Sequence, residues 1–258
     1  MSRGGDSSRR DGLDGAVVIV TGGTSGIGLA IARHCLAAGA SVVVTGRSAA
    51  SVDAALARLD RPACARGVAL DLEDAAAPGR ILASAVDAFG RVDCLVNNAG
   101  VLDRGTPWEL EPAEWDRIFA VNLRAAFFCS AEFVARARAA GHGGAIVNVS
   151  SVAGQNGGRV AGIAYAASKA GMIGLTRSLS NHCAPLGIRV NCIAPADIET
   201  PMTADWSPQI RERLTGLTPM GRFGEVDEVA AATVFLLGSS ASYITGQTLN
   251  VNGGLYMS

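Results

Sequence analysis

Seven short apolar runs, separated by longer helical stretches, leave this chain few folds to choose from. The runs lie at 16–21, 41–45, 67–70, 94–96, 145–149, 189–193 and 248–251. Between them, stretches at 27–38, 51–59, 75–89, 114–139, 165–184 and 226–238 read as amphipathic or buried helices. The runs are nearly continuous in valine, isoleucine and alanine, so both sides of each strand are covered; alternation with helices makes neighbouring strands parallel. The pattern predicts one α/β domain, doubly wound, with a seven-stranded parallel sheet and helices on both faces. No linker-like stretch and no repeat at solenoid period divides it. In such folds ligands bind beyond the carboxyl ends of the strands, so the loops there are the functional candidates. The two long irregular segments are 154–162 and 196–221.

Bulk properties exclude several functions. A net charge of -1 argues against a nucleic-acid partner or an anionic membrane surface. No apolar run approaches the ~20 residues expected of a membrane span. Residues 1–14 are polar, mix Arg with Asp and lack the apolar stretch of a signal peptide, so they read as a disordered leader. Arg9 and Arg10 precede Asp-Gly and a strand, a poor match to an export signal. The cysteines (Cys35, Cys64, Cys94, Cys129, Cys183 and Cys192) form no C-x-x-C pair and fall mostly in apolar segments. They read as reduced core thiols of a cytoplasmic protein. His34, His142 and His182 show no ligand spacing, so no metal site is expected.

Of 22 lysine and arginine residues only Lys169 is lysine, and it follows Tyr165 by four. Lysine is a compact ammonium on a flexible stem, whereas arginine is a bulky planar fork whose pKa does not adjust. Positions i and i+4 share a helix face. An ammonium there favours the phenolate of a tyrosine whose ordinary pKa is about 10, which would make Tyr165 a proton donor and acceptor. A solvated lysine beside a tyrosine by chance is the alternative.

The first strand runs into Thr21-Gly22-Gly23-Thr24-Ser25-Gly26-Ile27-Gly28, and a helix follows. Glycines let a backbone turn tightly and approach a pyrophosphate, whose charge meets the helix N-terminus. The spacing is G-x-x-x-G-x-G, and a tight strand-to-helix turn is the plainer reading. The second strand ends at Thr45-Gly46-Arg47-Ser48. An acidic residue there would hold the ribose hydroxyl of NAD. Arg47 beside Ser48 suits a 2′-phosphate instead, predicting NADP(H) over NAD(H).

With these two segments and others in a fixed order, the chain resembles a short-chain dehydrogenase/reductase over about residues 13 to 257. The order is TGGTSGIG at 21–28, Asp71-Leu72, NNAG at 97–100, Asn122-Leu123, Val149-Ser150-Ser151, Tyr165-Ala166-Ala167-Ser168-Lys169, the stretch 195–200 and GQTLNVNGG at 246–254. Within the family it most resembles the 3-oxoacyl-(acyl carrier protein) reductases. The resemblance implies a single Rossmann-like, dinucleotide-binding catalytic domain over 15–258, with a substrate lid at about 196–223. It implies that Tyr165 protonates a carbonyl oxygen as hydride arrives and that Lys169 lowers the phenol pKa and holds ribose hydroxyls. Ser151, preferred to Ser150, would bond the carbonyl oxygen, and Asn122 would anchor a water leading from Lys169 to solvent. The cofactor residues it implies are Gly22, Thr24, Ser25, Gly26, Ile27, Gly28, Arg47, Ser48, Asp71, Leu72, Asn98, Ala99, Gly100, Tyr165, Lys169, Pro195, Ile198 and Thr200. The expected activity is NADP(H)-dependent interconversion of a ketone, 3-oxoacyl-like or otherwise apolar, with a secondary alcohol. Sugars, steroids and cyclic alcohols are alternative substrates. A non-catalytic dinucleotide binder and an isomerase or dehydratase using bound cofactor are alternative functions. The partner is a small-molecule or thioester carbonyl compound, and a homotetramer (or homodimer) is expected through long helices and edge strands.

Three departures bear on the substrate. Ser151 and Tyr165 lie one residue further apart than the family pattern, the extra residue falling in 154–162. Ala196 follows Pro195 where the pattern has glycine. His142 and Leu186 stand where carrier-protein reductases carry basic residues near the active-site entrance; Arg136, Arg138 and Arg159 are nearby in sequence. In the lid, Met202, Trp206, Ile210, Leu214, Leu217 and Met220 read as an apolar pocket wall or the inner face of a short helix, with Arg211 and Arg213 facing solvent.

Overall fold

Alternate residues of each central strand feed two separate cores. In the computed structural model, which describes residues 12–103, 106, 108–158 and 160–257, β1 (Val17–Val20) sends Val18 and Val20 to one core and Val17 and Ile19 to the other. Successive side chains of a strand point to opposite faces, so a strand apolar throughout must be roofed twice. The first core is closed by α1 (Gly26–Ala37), α2 (Ala49–Leu59) and α9 (Val226–Leu237). The second is closed by α3 (Ala77–Phe89), α5 (Ala125–Ala140) and the end of α7 (Ile163–Cys183). The remaining strands are β2 (Ser41–Gly46), β3 (Ala65–Ala69), β4 (Cys94–Asn97), β5 (Gly144–Val149), β6 (Ile188–Pro195) and β7 (Thr248–Val251). The shorter helices are α4 (Pro112–Phe119), α6 (Ala153–Asn156) and α8 (Pro208–Leu217).

All seven strands are parallel, in the order β3-β2-β1-β4-β5-β6-β7. The chain winds outward from β1 to β3, returns to β4 beside β1, and winds out the other way. That reversal opens a crevice at the carboxyl ends of β1 and β4, where a ligand can enter.

Four expectations change. The single helix at 114–139 is α4 and α5 joined by a π turn at Ala120–Arg124, which holds Asn122. Such an insertion re-aims side chains and is common at functional sites. The stretch Pro112–Ala140 is also long and apolar enough, by length and composition, to cross a membrane. Its Cys129, Phe133 and Ala137 are instead buried in the second core. The leader is shorter than 1–14. Leu13 is buried and its N–H donates to Ala38 O at 3.1 Å, so 12–14 belong to the fold; residues 1–11 lie outside the described ones. Finally, the lid contains α8, in which Leu214 is the one buried residue, while Met202, Leu217 and Met220 of the lid are exposed.

Candidate active site

The glycine turn after β1 is clamped from three sides. Thr21 Oγ1 accepts hydrogen bonds from Asn98 N at 3.0 Å and Ala99 N at 3.1 Å. The Asn98 amide donates to Thr21 O at 2.9 Å and Gly22 O at 3.1 Å. Gly22 N donates to Thr45 Oγ1 at 3.2 Å. Gly22 has φ +63°, and a Cβ on Gly28 would lie 2.3 Å from Gly22 O, so both positions require glycine. Ser25 precedes α1 but its side chain makes no capping bond, and the first turn carries no acidic residue. The positive end of a twelve-residue helix therefore faces the crevice without an anion of its own. These groups fit a pyrophosphate.

Around this turn lies a cleft of about 380 Å³. It gathers Gly22, Thr24, Ser25, Gly26, Ile27 and Gly28 with Arg47, Asp71, Leu72, Asn98, Ala99 and Gly100. Ser151, Tyr165, Lys169, Pro195, Ile198 and Thr200 line the same cleft. Two expected residues do not. Ser48 caps α2, its side chain accepting from Ser51 N at 3.2 Å, and lies outside the lining. Asn122 is fully buried behind it. Met202 lines it too, as the pocket-wall reading of the lid expected, whereas Arg117, Val121 and Glu73 line the cleft unforeseen. These three arrive from α4, the π turn and the loop after β3, and no local motif marks them.

Lys169 is 3 % exposed, and its Nζ donates to Val149 O at 2.7 Å. Burial pulls its pKa down to about 8, slightly opposed by Cys192. The ammonium sits 5.7 Å from the centre of the Tyr165 ring. Burial also raises the Tyr165 pKa, and a hydrogen bond from the Ser151 hydroxyl opposes it. The expected depression of the phenol by Lys169 is therefore not seen: loss of hydration outweighs the hydrogen bond from Ser151. Ser151 reaches the phenol while its Oγ accepts from Ala153 N at 3.1 Å. Ser150 faces away and donates to Lys169 O at 2.7 Å. The segment that carries the extra residue begins within α6. That short helix packs so tightly on α7 that a Cβ on Gly154 would lie 2.6 Å from the Lys169 carbonyl carbon.

Asn122 has both ends of its amide engaged. Oδ1 accepts from Val101 N at 2.8 Å, while Nδ2 donates to Val101 O at 2.9 Å and Ser168 Oγ at 3.0 Å. Its side chain ties the loop after β4 to α7 and has no donor left for a water. Behind it, Asn97 donates to Ser130 Oγ at 3.0 Å and Asn148 Oδ1 at 2.8 Å. Asn148 in turn donates to Thr176 Oγ1 at 2.9 Å. This buried polar chain holds α5 and α7 to the ends of β4 and β5. The motif at 97–100 gave no sign of this role for Asn97.

Ala196 needs no positive φ, since Asp60 is the only described non-glycine residue with one. The concern over the missing glycine lapses. His142 and Leu186 precede β5 and β6, at the amino ends of the strands, whereas the cleft of the same chain lies at their carboxyl ends. The expected entrance position is therefore corrected. Arg136 lies 3.6 Å from Glu132, Arg138 is exposed, and Arg159 lies outside the described residues. Arg211 does not simply face solvent: it pairs with Glu199 and stacks over the Phe223 ring at 4.4 Å.

Comparison with known proteins agrees with this geometry. Residues 22–256 match the family model described as enoyl-(acyl carrier protein) reductase. The chain is 40 % identical over 247 residues to the 3-oxoacyl-(acyl-carrier-protein) reductase FabG of Escherichia coli, covering 95 % of this chain and 99 % of that one. It is 42 % identical over 245 residues to a galactitol 2-dehydrogenase (L-tagatose-forming) of Cereibacter sphaeroides, covering 94 % and 95 %. A short-chain dehydrogenase/reductase structure from Brucella melitensis superposes with TM-score 0.89 at 33 % identity, covering 95 % and 98 %. A putative short-chain alcohol dehydrogenase from Sinorhizobium meliloti gives 0.90 at 36 %, covering 95 % and 97 %. With motifs, sheet order and near full-length relatives in agreement, the chain belongs to the short-chain dehydrogenase/reductase family of oxidoreductases.

Proposed function

We propose that this chain interconverts a ketone and a secondary alcohol, using NADP(H) in preference to NAD(H) and Tyr165 as general acid and base. One observation carries the reading: Ser151, Tyr165 and Lys169 meet in the cleft that also holds an uncapped helix N-terminus and a glycine cradle. A bound nicotinamide would supply or accept the hydride. Tyr165 keeps its proton at neutral pH because burial favours the neutral phenol. A reductase needs that form to protonate a carbonyl oxygen. Ser151 Oγ–H would turn to the same oxygen as negative charge grows there. Lys169, with one N–H held by Val149 O, keeps two donors for ribose hydroxyls. Asn122 acts as a positioning residue through Val101 and Ser168.

Arg47, at the carboxyl end of β2 and lining the cleft, is the group that would meet a 2′-phosphate. Arg47→Ala is expected to lower kcat/KM for NADPH roughly 10- to 100-fold, the loss of one charge-assisted contact. The value for NADH should barely move. Equal losses with both cofactors would refute the assignment.

The substrate is a small-molecule or thioester ketone. The likeness to the 3-oxoacyl reductases favours a 3-oxoacyl thioester, and the likeness to the galactitol dehydrogenase supports a polyol or sugar as the second reading. Following NADPH oxidation against 3-oxoacyl thioesters, cyclic ketones, steroids and ketoses tests both. Silence across that panel would return the chain to the class of dinucleotide binders. The reading includes a cytoplasmic location, where the free cysteines stay reduced. It includes a homotetramer or homodimer, supported by exposed Trp115, Phe127 and Phe128 on the long helices and by Phe235 and Leu249 near the sheet edge. A monomer in sedimentation would contradict it.

A further inference from the structure

Helix α7 presents Tyr165 and Lys169, yet nothing in its own sequence caps its start. Gly162 is the N-cap residue and has no side chain with which to cap the turn. The cap comes from the loop after β4. Asp103 Oδ1 accepts from Tyr165 N at 2.8 Å, and Asp103 O accepts from Gly162 N at 2.8 Å. A side-chain oxygen on the third N–H of a helix is the N-cap bond, here supplied from 62 residues away. The amide it captures belongs to the proposed proton donor.

The arrangement is tight and electrostatically specific. Asp103 is 5 % exposed, and its Oδ2 has no hydrogen-bond partner among the described residues. A Cβ on Gly162 would lie 2.0 Å from that oxygen, so the carboxylate is pressed against the helix end. Burying a carboxylate with one oxygen unsatisfied is costly, and the positive end of α7 offsets part of that cost. A residue that only filled space would be apolar. Two residues earlier, Val101 is gripped by Asn122 and lines the cleft. The loop after β4 is thus fixed to the cofactor wall at Val101 and to the catalytic helix at Asp103.

We propose that Asp103 is a positioning residue: it sets the first turn of α7, and with it the depth of the Tyr165 phenol against Ser151. The inference rests on the reading of Tyr165 as proton donor. A misplacement on the order of 1 Å can cost about 100-fold in rate, so a cap that sets this distance should be visible in kcat.

The test uses Asp103→Ala and Asp103→Asn in the full chain. Hydrogen exchange of the 160–170 segment reads the cap without reference to turnover. The kinetic readouts are kcat, KM and the NADPH dissociation constant from quenching of protein fluorescence. Asp103→Ala should lose protection in that segment and fall at least about 10-fold in kcat, with NADPH binding unchanged. Asp103→Asn keeps the accepting oxygen and should recover both protection and most of kcat. If Asp103→Ala does not fold, Asp103→Asn against Asp103→Ser, a shorter acceptor, replaces the comparison and should show the same order. A folded Asp103→Ala with wild-type kcat overturns the proposal, as does Asp103→Asn failing as badly as Asp103→Ala. Failure of the underlying reading looks different: Tyr165→Phe would then stay active while the exchange pattern of the Asp103 variants still followed the cap.

Discussion

Tyr165→Phe is expected to lower kcat by roughly 100- to 10,000-fold, the range that a positioned proton donor contributes, while NADPH binds as it does to the wild type. The structure makes the substitution clean. The phenol oxygen is hydrogen-bonded to the Ser151 hydroxyl, and Ser151 Oγ keeps its bond from Ala153 N when the phenol is removed. The ring stays in place over Lys169, and Tyr165 N still donates to Asp103. The Ser151 O–H loses its acceptor, but Ser151 is half-buried on the wall of the open cleft, where water can replace the phenol. A large loss of turnover would therefore not come from unfolding. The glycine turn, Arg47 and Lys169 are untouched, so cofactor affinity should hold. Fluorescence titration with NADPH beside steady-state turnover checks both halves. Full residual activity would remove Tyr165 from the chemistry. Loss of NADPH binding together with activity would assign the residue to the cofactor site alone.

The sheet was legible because the apolar runs are short, unalternated and spaced by helices, which leaves little but a parallel sheet roofed twice. The glycine turn, Arg47, Ser151, Tyr165 and Lys169 were legible because each lies at a strand end or on a regular helix face. Positions that depend on contacts across the chain were not. Asn122 was named for its motif, but the π turn that aims it at Val101 leaves no trace in hydrophobic period. Ser48 carried a readable signal, a serine at a strand-to-helix junction three before Ser51, which the nearby Arg47 drew toward a phosphate reading. Asp103, Arg117 and the Asn97–Asn148 pair act on partners 28 to 62 residues distant or line a wall built from several loops. Sequence spacing is silent about such pairs. The mistaken expectation for the Tyr165 phenol has the same origin: the i, i+4 spacing shows that a cation is near but not that both groups are buried.

The solitary lysine should weigh on stability as well as serve chemistry. In the unfolded chain its pKa is about 10.4, whereas in the fold burial pulls it to about 8. Between those values the unfolded chain holds the proton and the folded chain does not, so stability rises with pH across that window. Below pH 8 both states are protonated and the full cost of burying the ammonium is present, on the order of 3 kcal/mol. Lys169→Met fills a similar volume without charge and removes that cost. It also leaves Val149 O without the Nζ donor, a loss of about 1–3 kcal/mol. The two terms nearly balance at pH 7, with a net gain of up to about 2 kcal/mol, or several degrees in Tm. Above about pH 10.4 the charge cost is gone in the wild type and only the lost hydrogen bond remains, so the variant should melt below the wild type. Thermal melts of both proteins at pH 7 and pH 10.5 should therefore cross, while the variant loses turnover at both. A variant less stable by the same margin at the two pH values would mean that Lys169 stays hydrated in the fold, and that its place beside Tyr165 carries no stored electrostatic cost.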